Sequence, residues 1–157
     1  LPFLPMAGAL ATGREVIACD VSPDALRVAA GNAARLRAPV RLVYSDLLSA
    51  FAPESFQLIV SNPPYIPAGE IEGLAPAVRS WEPTLALAGG PVGDELLRKL
   101  IAQAESVLAP GGWLVSEIDG RETIPGRDPL FGDAWDSYEV VPDLAGRPRV
   151  ILARRQV

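Results

Sequence analysis

The tetrapeptide Asn62-Pro63-Pro64-Tyr65, directly after the apolar run Leu58-Ile59-Val60-Ser61, carries the most chemistry in this 157-residue sequence. Two consecutive prolines remove two backbone donors and stiffen the loop, so its carbonyls are free to accept hydrogen bonds. The side-chain oxygen of Asn62 and the carbonyl of Pro63 can together accept both hydrogens of a planar NH2 group and draw its nitrogen lone pair toward an electrophile. The ring of Tyr65 can hold the plane of an amide or a base by stacking. Such a site needs neither histidine nor metal. An Asn-Pro-Pro turn also serves as plain loop punctuation, but its place at the end of an apolar run favours the chemical reading.

Two acids occupy comparable places. Asp20 closes the run Glu15-Val16-Ile17-Ala18-Cys19, about where a nucleoside-binding fold sets an acid to accept from both ribose hydroxyls. An Asp before a Ser-Pro-capped helix equally has structural reasons to be there. Asp46, in Ser45-Asp46-Leu47-Leu48, can accept from an exocyclic adenine amine while Leu47 and its backbone amide address the ring; the alternative is a solvated loop acid.

The elements that must position these groups follow from the punctuation. Ser22-Pro23 suits an N-cap and a first helical position. Leu26, Ala29, Ala33 and Leu36 recur at helical spacing, and Pro39 ends that segment. Val40 to Tyr44 and Phe56 to Ser61 predict two strands, apolar on both faces as buried parallel strands are. After a proline-rich stretch from Pro63 to Pro91, Asp94 caps a second helix with Leu97, Leu100, Ile101, Ala104 and Leu108 on one side, stopping at Pro110-Gly111-Gly112. Trp113 to Ile118 returns as a strand. Tyr138 to Val141 and Val150 to Ala153, around Gly146 and Pro148, predict an antiparallel hairpin. Strands alternating with helices indicate an α/β, Rossmann-like sheet, mainly parallel and covered on both faces.

Composition narrows the function classes. The length and mass of 16.6 kDa suit one domain with one core. With 49% apolar and 21% charged residues the chain is globular rather than disordered. It has no apolar run approaching a membrane span and no signal-peptide pattern, so a cytoplasmic location is the expectation. A single cysteine, Cys19, excludes an internal disulfide framework, and the absence of histidine removes the commonest zinc ligand and the usual near-neutral base. No metal site is expected. A net charge of −5 argues against a nonspecific phosphate-tracking surface.

The motifs resemble a known family. Asp-Val-Ser-Pro-Asp-Ala-Leu (20 to 26), Ser-Asp-Leu-Leu (45 to 48), Val-Ser-Asn-Pro-Pro-Tyr-Ile-Pro (60 to 67), Glu-Pro-Thr-Leu-Ala-Leu-Ala-Gly-Gly (82 to 90), Leu-Ala-Pro-Gly-Gly-Trp-Leu (108 to 114) and Asp-Leu-Ala-Gly-Arg-Pro-Arg-Val (143 to 150) are similar to those of the release-factor glutamine methyltransferases, class I enzymes that use S-adenosylmethionine. Asn-Pro-Pro-Tyr alone also fits enzymes that methylate adenine amines. Its combination with Glu82-Pro83, Gly89-Gly90 and the terminal Asp-Leu-Ala-Gly-Arg is more specific to the glutamine branch. The resemblance implies that Asp20 binds the cofactor ribose, Asp46 and Leu47 address its adenine, Asn62 borders both cofactor and substrate, and Asn62 with Pro63 orients the substrate amide. Pro64 and Tyr65 would help wall the substrate pocket. Asn62, Pro63 and Tyr65 are thus the catalytic candidates, peptide chain release factors the implied partners, and no direct contact with membrane or nucleic acid is expected.

The sequence departs from that family in three places. The strand and glycine-rich loop that precede the Asp20 position in the family, and the helical domain before them, have no counterpart in residues 1 to 13; Met6 to Ala11 suit the end of the helix that follows such a loop. The domain, residues 1–157, is therefore expected to be incomplete at its N-terminus. Between Glu117 and Asp143 the spacing of Pro125, Gly126, Pro129 and Gly132 leaves little room for the helix the family fits there. Gly93-Asp94 stands where the family tends to have Asp-Gly, so Val92 lies near an expected acid. The competing readings are an amino methyltransferase acting on nucleic acid or another protein, and a noncatalytic remnant.

Overall fold

The computed structural model describes residues 3–74, 84–119 and 131–157. They fall into two compact units, Leu1–Phe51 and Ala52–Val157. Glu82, Pro83, Pro125, Gly126 and Pro129, on which parts of the family comparison rest, lie outside the described residues.

In the first unit α1 (Phe3–Thr12) precedes β1 (Val16–Asp20), α2 (Pro23–Leu36) and β2 (Val40–Tyr44). The two strands pair in parallel, from Val16 opposite Val40 to Asp20 opposite Tyr44. Helix α2 starts where Ser22 can cap it: the Ser22 hydroxyl accepts from the Ala25 N–H at 3.3 Å, and Pro23 loses nothing in the first turn, where its missing donor would have had no partner. It ends before Pro39 at Arg37, whose φ of 51° is left-handed. The face facing inward is made of small residues. Ala29 and Ala33 pack with Met6 into a cluster against which Ala38, Val40 and Leu42 rest, while Leu36, expected on the same face, is exposed.

In the second unit β3 (Phe56–Ser61), β6 (Leu108–Glu117), β8 (Pro148–Arg155) and β7 (Trp135–Pro142) lie in that order. β3 and β6 are parallel, and β6–β8 and β8–β7 antiparallel, so the C-terminal hairpin forms as predicted. Its turn is closed by the Asp143 carboxylate, which accepts from the N–H groups of Ala145 (2.8 Å) and Arg147 (3.0 Å). Helix α4 (Glu95–Val107) contacts β6 and buries Leu97, Leu100, Ile101, Ala104 and Val107. Ile59, Leu114, Ile151 and Ala153 of the sheet are buried too. Asp94 occupies the cap position, but its carboxylate makes no capping bond; it turns to Arg98 instead, at 2.6 Å. The helix stops at Val107, before Pro110-Gly111-Gly112, which the strand absorbs as an irregularity: Phe56 pairs with Leu108 and Leu58 with Trp113.

Only one face of this sheet is covered among the described residues, contrary to the expectation from its apolar pattern. Leu58, Val60 and Trp113 alternate with the buried Ile59 and Leu114 and are 56%, 53% and 41% exposed. In the first unit Tyr44 is exposed as well. A small pair, β4 (Ile66–Pro67) with β5 (Ala88–Gly90), lies between a 3-10 turn over Ala68–Gly73, a short helix α3 (Thr84–Leu87) and the start of α4. Among the described residues no helix is long and apolar enough to cross a membrane.

Leu114 is fully buried in β6. Leu114→Ala should therefore lower the unfolding free energy by about 2–5 kcal/mol, measured by urea titration followed through far-UV circular dichroism, while exposed Val92→Ala should change it by less than about 0.5 kcal/mol.

Candidate functional site

Asp20, Asp46 and Leu47 all belong to the first unit, at the carboxyl edge of the parallel pair β1–β2. Chain continuity alone would leave the loop after β2 loose; two ties hold it to the end of β1 and a third closes it on itself. The Ser45 N–H donates to the Asp20 carbonyl at 3.1 Å. The buried Ser45 hydroxyl accepts from the Ala50 N–H at 3.2 Å. The Cys19 thiol donates to the Leu47 carbonyl at 3.2 Å, across 28 residues. Leu47 itself adopts a left-handed φ of 52°, unusual for a branched residue. Burial, and then the neighbouring Asp20 charge, push the Cys19 thiol above its ordinary range, which keeps it a proton donor to that carbonyl.

One oxygen of Asp20, Oδ1, is engaged by the Ser22 N–H at 2.8 Å, which fixes the carboxylate while its other oxygen remains a possible acceptor. Asp20 and Cys19 border a cavity of about 60 Å³ together with Met6, Ala18, Leu26 and Leu42. The lining is mostly apolar, with the Asp20 carboxylate as its acid, and the space is smaller than a small-molecule ligand needs.

The second unit carries Asn62-Pro63-Pro64-Tyr65 at the carboxyl end of β3. Asn62 is exposed and Pro63 buried, so the polar side chain is presented from a fixed base. The loop runs into β4, whose Ile66 pairs with Ala88 of β5. Two glycines come down on the loop. A methyl group on Gly89 would stand 2.8 Å from both the Pro64 carbonyl oxygen and Tyr65 Cα; one on Gly93 would stand 2.6 Å from the Tyr65 carbonyl oxygen. Neither position has room for a side chain, and Gly93 also has a φ of 103°.

Tyr65 turns its phenol to the ends of β6 and β8. Burial raises its ionisation above the ordinary range, and the Glu117 and Asp119 charges add to this; Glu117 also accepts a hydrogen bond from the phenol, and Arg149 partly offsets the rise. Arg149 lies 4.0 Å from Glu117 and 3.7 Å from Asp143, and donates to the Ile118 carbonyl at 3.3 Å. Sequence reasoning missed Glu117 and Glu95. Glu117 reads as a strand-ending acid and Glu95 as a first-turn helix acid, and neither signal is specific. Gly89 entered the sequence reading only as part of the family-like Gly89-Gly90 pair, not as a packing partner of the loop. Among the described residues no group of acids and thiols is arranged to hold a metal ion.

Residues 5–75, which include the Asn-Pro-Pro-Tyr loop, match the family model for a methyltransferase small domain. The chain overlays on a predicted O-methyltransferase from Agrobacterium tumefaciens over 97% of its length and 68% of that chain, with a TM-score of 0.63 and 16% identity. It overlays on a methyltransferase from Pyrococcus furiosus over 91% and 64%, with a TM-score of 0.59 and 20% identity. The fold is that of the class I methyltransferases. Within that class the sequence is similar to release factor glutamine methyltransferases: it is 42% identical to the Koribacter versatilis protein over 142 residues, 90% of this chain and 50% of that one. Identity is 46% to the Cereibacter sphaeroides protein, over 88% and 50%, and 42% to the Deinococcus radiodurans protein, over 94% and 55%. The chain thus spans about half the length of the curated relatives it matches, and the resemblance carried by its motifs extends over most of its residues.

Because burial and Glu117 both hold the Tyr65 proton on, its phenol should titrate above an ordinary tyrosine in protein carrying ring-labelled Tyr65. Glu117→Gln should bring that titration down toward the ordinary value, followed by 13C shifts against pH; an unchanged midpoint would contradict the Tyr65–Glu117 contact.

Proposed function

We propose that the protein transfers a methyl group from S-adenosylmethionine to the side-chain amide nitrogen of a glutamine in the Gly-Gly-Gln loop of peptide chain release factors. The observation that carries this is the Asn62-Pro63-Pro64-Tyr65 loop at the end of β3, in a chain 42–46% identical to relatives of that name. When bound, S-adenosylmethionine supplies an electrophilic methyl group on a sulfonium.

The residues of this chain would do the rest. Asp20 would accept from the ribose hydroxyls with its free oxygen, its orientation set by the Ser22 N–H. Asp46 and Leu47 would address the adenine, on a loop held by the Cys19 thiol and Ser45. Asn62 Oδ1 and the Pro63 carbonyl would accept the two hydrogens of the glutamine amide. An amide nitrogen is a poor nucleophile because its lone pair is delocalised, and these two acceptors turn that lone pair toward the methyl carbon and bear part of the charge that develops on N–H. Pro63, buried beneath the exposed Asn62, would keep the acceptors at a fixed spacing, and Pro64 and Tyr65 would border the substrate.

The test is transfer of labelled methyl from S-adenosylmethionine to a release factor, with RNA and DNA as competitors. Label on the glutamine supports the reading; no label, or label on nucleic acid, refutes it. Asn62→Ala should cut turnover roughly tenfold to a hundredfold and leave the dissociation constant of S-adenosylhomocysteine, measured by calorimetry, within about twofold. Asp20→Ala should do the reverse, weakening the cofactor product about tenfold or more.

A further inference from the structure

A loop with two prolines cannot fasten itself, so whatever fastens it from outside controls the geometry of Asn62 and Pro63. In this chain that fastening converges on one side chain. Glu95 is the first residue of α4, and its carboxylate folds back over the turn that precedes the helix. Oε1 accepts from the Val92 N–H and Oε2 from the Gly93 N–H, each at 2.9 Å. These bonds hold the Glu95 carboxyl below its ordinary range, so it is charged at neutral pH and sits at the positive end of the helix. The same carboxylate fills the space next to Gly90: its Cδ would stand 2.6 Å from a methyl group placed there.

Glu95 holds Gly93 by a hydrogen bond and fills the space beside Gly90, and both of these glycines touch the loop strand. Gly90 is the pairing partner of Pro67 across β4–β5. Gly93 lies against the Tyr65 carbonyl and against Pro67 N and Cδ. Gly89, immediately before Gly90, is packed on Gly93 O, Pro64 O and Tyr65 Cα. A displacement of the 90–93 turn therefore cannot occur without a displacement of Pro64 to Pro67. Val92, near which the related family tends to place an acid, donates its backbone N–H to Glu95, three residues further on.

We propose that Glu95 is a positioning residue for the Asn62–Tyr65 loop, acting through Gly93 and Gly90 and touching neither substrate nor cofactor. The proposal rests on the reading of that loop as the one that orients the substrate amide. Glu95→Gln keeps the shape and the start of the helix, but replaces one acceptor oxygen with an NH2 group that confronts a backbone N–H.

In the full chain, Glu95→Gln should lower methyl transfer to release factor roughly tenfold while the dissociation constant of S-adenosylhomocysteine stays within about twofold. Amide hydrogen exchange at Tyr65 and Ile66 should quicken at least about fivefold, with exchange in β8 unchanged. Gly93→Ala should give the same pattern. Asp94→Ala, which removes the Arg98 ion pair at the same helix end, should leave turnover and Tyr65 exchange as in the unsubstituted protein. Normal turnover and exchange in Glu95→Gln would overturn the proposal. A parallel loss of S-adenosylhomocysteine binding, or the same defect in Asp94→Ala, would also overturn it by showing a general effect. If the unsubstituted protein methylates no glutamine, the functional reading falls, and exchange at Tyr65 and Ile66 alone decides whether Glu95 holds the loop.

Discussion

A backbone that surrenders two N–H groups in succession cannot use the usual means of holding a turn in place. Asn62-Pro63-Pro64-Tyr65 does this at the position where the chain leaves β3, and the architecture of the second unit follows from the need to hold that loop by other means. Pro63 is buried beneath it. β5 pairs with β4 immediately downstream. Gly89 and Gly93 bring backbone against backbone where any side chain would intrude. The Tyr65 phenol is drawn to Glu117 at the end of β6. Apart from Pro63, the ties come from two distant stretches, residues 88–93 and Glu117, so the loop is fixed by tertiary structure rather than by its own turn.

The first unit solves a similar problem with different chemistry. The loop after β2 has donors to spare, and Ser45, Ser49 and Cys19 supply side-chain ties for it: the Ser45 and Ser49 hydroxyls lie 3.4 Å apart, and the Cys19 thiol reaches the Leu47 carbonyl. The single cysteine of the chain is thus accounted for as a small, half-buried donor whose raised pKa keeps it in the thiol form. The three strands that carry a loop of interest, β1, β2 and β3, are each parallel to one neighbour and, among the described residues, each form an outer strand of their sheet.

Much of the local structure was legible in the sequence. Val40–Tyr44 and Phe56–Ser61 have the predicted bounds, Ser22 caps α2, and the C-terminal hairpin forms. These rest on local signals: caps, apolar runs and turn residues. What was not legible depended on partners distant in the chain. The apolar alternation of Leu58 to Val60 is compatible with cover on one face or two, and the described residues cover one. Pro110-Gly111-Gly112 has the chemistry of a break, yet the register of β3 on β6 passes over it. Asn62, Asp20 and Asp46 could be singled out in the sequence because strand ends are where open α/β sheets present their chemistry. Glu95 was not, because an acid in the first turn of a helix is commonplace, and only the coordinates reveal that it reaches backward to Val92 and Gly93.

The crowding at Gly89 and Gly93 has a consequence for anyone who would borrow this loop. The tetrapeptide is only four residues long, but its shape is written in residues more than twenty positions downstream, where two missing side chains and one carboxylate make the mould. Grafted onto another strand end without that mould, Asn-Pro-Pro-Tyr would carry the same atoms in the same order and lose the spacing between its two acceptors. A graft would have to bring Gly89, Gly93 and Glu95 with the loop, and Glu117 for the Tyr65 phenol.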